Sequence, residues 1–296
     1  MNTPKHYILL INPFSGNGKS EEAAEFIKKN LPDCTFSAIK SKYPSHFSEI
    51  LQDFSFESVD TIIVIGGDGT LHDVINGLAN RNDIPPIFLF PCGTGNAFNH
   101  DLECLDWETA LEKLKKGKVQ KIDIYKITEK NSKKITFGFN VAGWGLVSRI
   151  NLLAEKLRFL GGIRYSVASF IYIFINPTFK AKIKIEDKEI LDENFSFVLV
   201  CNNMYTGTGM KMAPLADFSD GLLDVLIIRK HSFLKLLMLF PKIFSGKHLD
   251  SPMVDYRKIR KISIDTEPLC LVVDGEIKAE TPLEFEILDK RIDLIV

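Results

Sequence analysis

Two periodicities alternate along the first part of the chain. Apolar runs of strand length occur at His6–Asn12, Thr61–Ile65 and Ile87–Phe90, with a weaker one at Thr35–Ile39. Between them lie stretches with helical spacing. Ser20–Asn30 carries Ala23, Ala24 and Ile27 on one face, followed by Leu31, with Ser20 expected as its cap and Glu21 and Glu22 in its first turn. Leu71, Val74, Ile75 and Leu78 repeat the pattern, as do Trp107, Leu111 and Leu114 behind an Asp106 cap. Continuous apolar strands alternating with helices predict a parallel sheet covered on both faces. A basic stretch, Lys113–Lys121, closes this half as a helix end and linker.

The second half changes rhythm. After Phe137–Val141, a helical segment is expected from Ile150 to Ile175, and strand patterns then dominate. They cover Lys180–Glu186, Phe195–Cys201, Leu222–Arg229, Lys261–Asp265, Leu269–Val273, Leu283–Leu288 and Arg291–Val296, with an amphipathic insertion at Ser232–Lys247. Short, turn-separated strands suggest a sandwich or barrel. The expected architecture is therefore an α/β N-terminal domain with a parallel sheet over residues 1–121. A C-terminal β-sandwich-like domain with helical insertions follows over residues 122–296.

Composition narrows the function. The chain has 296 residues, and its 37 basic and 38 acidic side chains nearly cancel, which argues against a nucleic-acid binder. Met1–Ile11 leaves no room for a secretory leader. The longest apolar stretch, Tyr165–Ile175, is short of the roughly 20 residues a bilayer span needs. Cys34, Cys92, Cys104, Cys201 and Cys270 are scattered and never form a CxxC pair, which predicts reduced thiols in a cytoplasmic protein.

The chemistry concentrates in loops after strands. Gly66-Gly67-Asp68-Gly69-Thr70 stands between an apolar strand and a helix. Its glycines let backbone approach a ligand, and the helix N-terminus aims N–H groups at an anion. A carboxylate there would repel phosphate unless it binds a metal ion or takes a proton; the plain alternative is an Asp-capped turn. Asn12-Pro13-Phe14-Ser15-Gly16-Asn17-Gly18-Lys19 and Pro91-Cys92-Gly93-Thr94-Gly95-Asn96 end two more strands. In a parallel sheet such loops converge, so the trio points to a polyphosphate ligand. Gly18-Lys19-Ser20 is not a P-loop, because position 13 is proline where that motif has glycine. The GxGxxG dinucleotide fingerprint is also missing after the first strand.

Taken together, Asn12-Pro13-x-Ser15-Gly16, Gly66-Gly67-Asp68-Gly69-Thr70-Leu71 and Pro91-x-Gly93-Thr94-Gly95-Asn96 resemble the diacylglycerol kinase catalytic-domain family, which includes bacterial lipid kinases, sphingosine kinases and ceramide kinases. Asn140-x-x-Gly143-x-Gly145, Glu155-Lys156-x-Arg158, Arg164-Tyr165, Asp220-Gly221-Leu222-Leu223-Asp224 and Asp274-Gly275-Glu276 extend the likeness over almost the whole chain. The resemblance implies a two-domain fold with ATP in the cleft. Asn12, Pro13, Phe14, Ser15, Gly16, Ser41, Gly66, Gly67, Asp68, Gly69, Thr70, Leu71, His72 and Thr94 would line the nucleotide, and Arg158 and Arg164 would reach phosphates. Ser41 stands where the family usually has threonine.

The resemblance further names Glu276 first and Asp68 second as general base, with Asp274 beside them. It implies a separate structural magnesium site at Asp217, Asp220 and Leu222. A sphingosine kinase reads its lipid head with a carboxylate where this chain has Asn151, which tilts the substrate toward a neutral lipid. The expected reaction is Mg2+-dependent γ-phosphoryl transfer from ATP to a lipid primary hydroxyl, diacylglycerol first. Alternatives are a sphingoid-base kinase, a NAD kinase and a non-catalytic lipid- or nucleotide-binding protein. The lipid tail is expected near Val147–Ile173 and Phe233–Phe244. In the latter, Phe233, Leu236, Leu237, Phe240 and Phe244 keep helical spacing up to a break at Pro241, as core, lipid gate or membrane contact. Partners would be a lipid at a membrane surface touched peripherally, with no nucleic acid; homodimerisation is left open.

Overall fold

The computed structural model describes residues 4–93, 95–207 and 209–296, and of Asn17 and Arg158 the backbone alone. The chain runs β1 (His6–Ile11), α1 (Ser20–Asn30), β2 (Thr35–Lys40), α2 (His46–Ile50), β3 (Thr61–Gly66), α3 (Asp68–Leu78), β4 (Ile87–Pro91), α4 (Ala97–Asp101) and α5 (Trp107–Lys116). There follow β5 (Val119–Glu129), β6 (Ile135–Gly138), β7 (Val141–Gly145), α6 (Leu146–Lys156), α7 (Arg164–Ile175), β8 (Phe179–Ile185), β9 (Glu189–Cys201), β10 (Tyr205–Thr206) and β11 (Met210–Lys211). The rest is β12 (Leu223–Arg229), α8 (Phe233–Leu239), β13 (Val254–Ile259), β14 (Lys261–Asp265), β15 (Cys270–Val273), β16 (Glu276–Glu280) and β17 (Leu283–Ile295). Two compact units form: Met1–Ile124 with Asp289–Val296, and Tyr125–Leu288.

In the first unit β1 pairs in parallel with β2 on one side and β3 on the other, and β3 pairs in parallel with β4. The strand order thus reverses at β1, the point where open α/β sheets bind ligands beyond their carboxyl ends. Every residue of β3 is buried, as a strand covered on both faces requires. Asp106 accepts from Thr109 N–H (2.8 Å) at the start of α5, and Gly117 at φ 61° ends that helix. Ser20 does not cap α1: it is the first helical residue, fully buried, and its Oγ has no hydrogen-bond partner among the described residues. The glycine-rich turn before it already sets the helix start, so the serine is drawn inward with Ala23, Ala24 and Ile27.

The second unit is antiparallel. β9 is paired by β7, β8 and β12, while β14 joins β8 to the start of β17. Its main core cluster includes Tyr125, Trp144, Phe195 and Phe285, and smaller ones gather around Leu226 and around Ile228. The expected helix over Ile150–Ile175 is two helices, because Gly161 (φ 59°) turns the chain between α6 and α7. Pro241 likewise follows the end of α8.

The expected boundary at 121/122 shifts as well. The linker is part of a strand, β5, and the expected strands Leu283–Leu288 and Arg291–Val296 are one, β17. Its last residues return to the first unit. Leu294 pairs in parallel with Ile87, Lys290 N–H donates to buried Asp123 (2.6 Å), and Arg291 donates to the carbonyls of Ala79 and Arg81. Among the described residues no helix is long and apolar enough to cross a membrane, and the five cysteines are free thiols.

Candidate active site

The first unit gathers its polar loops at the carboxyl ends of β1, β3 and β4. Asn12 N–H donates to Ile65 O (3.2 Å), and Cys92 N–H donates to Gly66 O (3.0 Å), so each loop continues the register of its strand. Side chains then lace the loops together. Asn12 Nδ2 donates to Thr70 Oγ1 (3.0 Å), which also lies 3.4 Å from Ser15 Oγ. Asn12 Oδ1 in turn accepts from Phe14 N–H (3.0 Å). Ser41, at the end of β2, donates its N–H to Ile11 O (2.9 Å) on the same edge.

Glycine is required where backbones meet. A Cβ on Gly93 would lie 2.5 Å from the Cα of Gly67, and one on Gly16 would lie 2.7 Å from Cys92 O, at a φ of 58°. The loops therefore pack without side chains between them. The amides opening α3 have no side-chain cap, and Gly67 O accepts from Thr70 and Leu71 N–H. That leaves an uncapped helix start beside a glycine surface, the chemistry of an anion site.

Asp68 is committed to the same architecture. Its Oδ2 accepts from Ala97 N–H (2.8 Å) and its Oδ1 from Phe98 N–H (3.0 Å), so it caps α4 from a different loop. Asn96 supports this loop by accepting from Gly93 N–H (2.9 Å) while holding φ at 47°. Asn96 belonged to the motif but had no expected role; its side-chain bond to a residue three back is a common turn device. Of the other expected nucleotide residues, Leu71 and His72 turn their side chains into the core. The ring Nε2 of His72 lies 3.3 Å from Asn76 Nδ2. Their α3 positions continue the buried face with Val74, Ile75 and Leu78. Phe14 is 78% exposed, and Pro13 and Gly69 complete the loops. Thr94 lies outside the described residues, as does the side chain of Arg158.

The second unit builds its own cluster around the turn between β15 and β16. Asp274 (φ 49°) and Gly275 (φ 93°) make the reversal. The Asp274 carboxylate is buried and accepts from Asn140 N–H (3.0 Å), Phe139 N–H (3.3 Å) and Tyr125 OH (3.2 Å). Burial, then the Asp274 charge, hold the Tyr125 pKa well above the usual phenol range, so it stays a donor. Tyr125 carries no motif, and its strand β5 was not expected beyond the basic stretch ending at Lys121, so nothing local signalled this role. Gly275 O accepts from Asn151 Nδ2 (3.1 Å), from α6. The turn is thus tied down on both sides, and Glu276 follows it with a side chain 58% exposed and 2.8 Å from Lys278 Nζ.

Arg164 forms an ion pair with Glu155 (3.6 Å) and its guanidinium lies 4.9 Å from the centre of the Tyr165 ring. Asp217 accepts from Ser219 N–H and Oγ. Asp220 accepts from Leu222 N–H (3.0 Å) and from Lys258 Nζ (2.6 Å). A cationic side chain, Lys258 Nζ, stands at that turn, and the Asp217, Asp220 and Leu222 oxygens would have to exchange it to hold a magnesium ion. Among the described residues no group of three or more His, Cys, Asp or Glu side chains is disposed to hold a metal.

Comparison with known proteins bears on the family and the fold. The family model described as the diacylglycerol kinase catalytic domain matches residues 6–127, and that of the YegS C-terminal NAD kinase beta sandwich-like domain matches residues 140–296. A diacylglycerol kinase of Staphylococcus aureus is 28% identical, over 97% of this chain and 90% of that protein. Sphingoid long chain base kinase 4 of Schizosaccharomyces pombe is 26% identical, over 97% of this chain and 74% of that protein. The crystal structure of a diacylglycerol kinase from Bacillus anthracis superposes with a TM-score of 0.78 at 25% identity, covering 100% of this chain and 98% of that one.

Proposed function

The chain belongs to the diacylglycerol kinase catalytic-domain family and is a lipid kinase, and from that premise we propose that it transfers the γ-phosphoryl group of ATP to the primary hydroxyl of diacylglycerol. The observation that carries this reading is the lacing of the three glycine loops at the β1 switch point, with the uncapped start of α3 beside them. Polyphosphate is the ligand such a surface suits, since its amides supply fixed partial positive charge that needs no reorganisation.

Phosphoryl transfer demands positioning and charge neutralisation more than covalent help. Backbone amides of the first unit would hold the phosphates, with Asn12, Ser15 and Thr70 fixing the loops. Asp68 acts here as a clamp on α4, because both carboxylate oxygens accept backbone amides. Glu276 is the acid assigned to the acceptor: it is exposed, with its carboxylate 2.8 Å from Lys278 Nζ, and it follows a turn that Asp274 and Asn151 immobilise. It would take the hydroxyl proton as the oxygen–phosphorus bond forms and the bond to the leaving ADP oxygen breaks, then return the proton to solvent. Magnesium carried by the nucleotide neutralises phosphate charge in such reactions, and no residue of this chain is assigned to hold it. A neutral acceptor is favoured over a sphingoid base because Asn151 offers no charge to an ammonium group and its amide is engaged with Gly275 O.

The test is transfer of labelled phosphate from Mg-ATP to diacylglycerol, sphingosine, ceramide and NAD in mixed micelles, with the native chain and Glu276→Gln. Label is expected in diacylglycerol. The substitution is expected to lower turnover by at least about 10²-fold with an unchanged melting temperature, since the side chain is exposed. Label in sphingosine or NAD alone would overturn the acceptor, and normal turnover of the variant would overturn the base.

A further inference from the structure

The helices α7 and α8 of the second unit are apolar on two sides. Their inner side chains Ile173, Leu236 and Leu239 are buried in a common cluster with Ile228. Their outer side remains apolar. Phe174 is 75% exposed, Met238 65% and Leu234 57%, and Phe170 and Phe244 are also exposed. The two helices meet through Phe174 and Phe233, whose ring centres are 5.8 Å apart, and Phe170 meets Phe240 with tilted rings at 5.9 Å. Phe159, in the turn before α7, is 79% exposed. A helix that is apolar all round is covered on both sides in its working state, and an exposed patch of this kind marks a contact surface.

Charge identifies what covers it. Neither residues 156–176 nor residues 230–249 contain a single Asp or Glu, although acids number 38 among the chain's 296 residues. The same two stretches carry Lys156, Lys230, Lys235, Lys242 and Lys247, all exposed, and none forms an ion pair among the described residues. By contrast Lys126, Lys130, Lys258 and Lys261, elsewhere in this unit, are each paired with a carboxylate. The two stretches thus combine an apolar ridge with five lysines outside any ion pair and no acid of their own, while Glu155, just before the first of them, pairs with Arg164 at the start of α7.

We propose that α7, α8 and the turn after α8 dock the protein on an anionic bilayer. The aromatic and aliphatic ridge enters the headgroup–acyl boundary, and the lysines meet lipid phosphates. A second copy of the chain fits poorly, because a two-fold contact between identical patches brings both lysine rims together. With 12 residues, α7 is about 18 Å long, too short to span a bilayer and suited to lying in its interface. The surface goes beyond the phosphoryl-transfer reading, placing a lipid-acting enzyme where its acceptor resides, but the observations that carry it do not depend on which lipid is phosphorylated.

The experiment is sedimentation of the full-length protein with vesicles of phosphatidylcholine alone and of phosphatidylcholine mixed with phosphatidylglycerol, without ATP or acceptor lipid, beside sedimentation velocity of the protein alone. Such vesicles report docking whether or not the chain phosphorylates diacylglycerol. Binding to the phosphatidylglycerol vesicles is expected, weakening as salt is raised. Phe174→Ser with Met238→Ser is expected to reduce the bound fraction at least about tenfold. Lys235→Glu with Lys242→Glu is expected to reduce it by at least about tenfold as well. Circular dichroism should stay unchanged for both variants, and melting temperature should stay unchanged for the lysine pair and fall only by the lost Phe174–Phe233 ring contact for the other. Absence of native binding, equal binding to both vesicle types, or a native dimer that Phe174→Ser dissolves would each overturn the proposal.

Discussion

Asp68→Asn separates a clamp from a base. In the native chain both carboxylate oxygens accept buried backbone amides, Ala97 N–H at 2.8 Å and Phe98 N–H at 3.0 Å, and these residues are 2% and 0% exposed. Asparagine preserves the shape but only one acceptor. One amide keeps a neutral partner; the other faces an NH2 group, donor against donor, in a buried setting. A hydrogen bond to a charged group contributes about 1.5–3 kcal/mol, and weakening the second from charged to neutral adds about 1 kcal/mol. The first unit should therefore lose about 3 kcal/mol. For a unit of this size that corresponds to a melting shift of roughly 10 °C.

Calorimetry is the assay, because the two units can melt separately and only the transition of the first should move. Equilibrium binding of a non-transferable ATP analogue supplies the second readout. Release of α4 uncouples the β4 loop from the β3 loop, so nucleotide affinity should fall together with stability. A variant that loses at least about 10²-fold in turnover while both transitions and nucleotide affinity stay in place would refute the clamp. It would return Asp68 to direct chemistry.

Two further outcomes follow from buried polar groups. Asn151→Ala removes the donor that holds Gly275 O at 3.1 Å; turnover should fall about five- to tenfold with the KM for ATP nearly unchanged, and an unaltered turnover would show that the turn needs no such tether. Asp224 is fully buried, and burial raises its pKa to about 6 against the opposing hydrogen bonds from Tyr256 and Lys258. The folded chain therefore keeps a proton between pH 4 and 6 that the unfolded chain has released. Stability through this group falls as pH rises across that window, and by pH 7 its ionisation costs about 3 kcal/mol. Asp224→Asn should raise unfolding free energy at pH 7.5 and flatten the dependence between pH 4 and 6. Denaturant unfolding at both ends of the window checks it, and an unchanged slope would count against the assignment.

Much of the first unit was legible because its information is local. Buried strands such as Thr61–Gly66 read as unbroken apolar runs, α5 announced its cap at Asp106, and the glycine loops stood between strand and helix. Glycines that allow backbones to touch leave a recognisable spacing even before their partners are known. The short α2 was missed, being five residues long with no periodicity to measure. In the second unit the break between α6 and α7 was missed because the apolar pattern continues across it, although the Gly161-Gly162 pair inside the intervening 3-10 turn was its local sign.

The amino-acid order by itself determined the parallel α/β half, the β-rich half and the family to which the loops belong, since each rests on neighbours a few residues apart. Tertiary structure alone decided the rest. It returned the end of β17 to the first unit, where Lys290 meets Asp123 from 167 positions away. It gave Asp68 the amides of α4 and set Tyr125 against Asp274, 149 positions along the chain. It gave Lys258 to Asp220 at the expected metal turn and left the outer faces of α7 and α8 uncovered. A carboxylate's role depends on which donors reach its oxygens, and those donors come from distant segments brought close by packing, which no local pattern encodes.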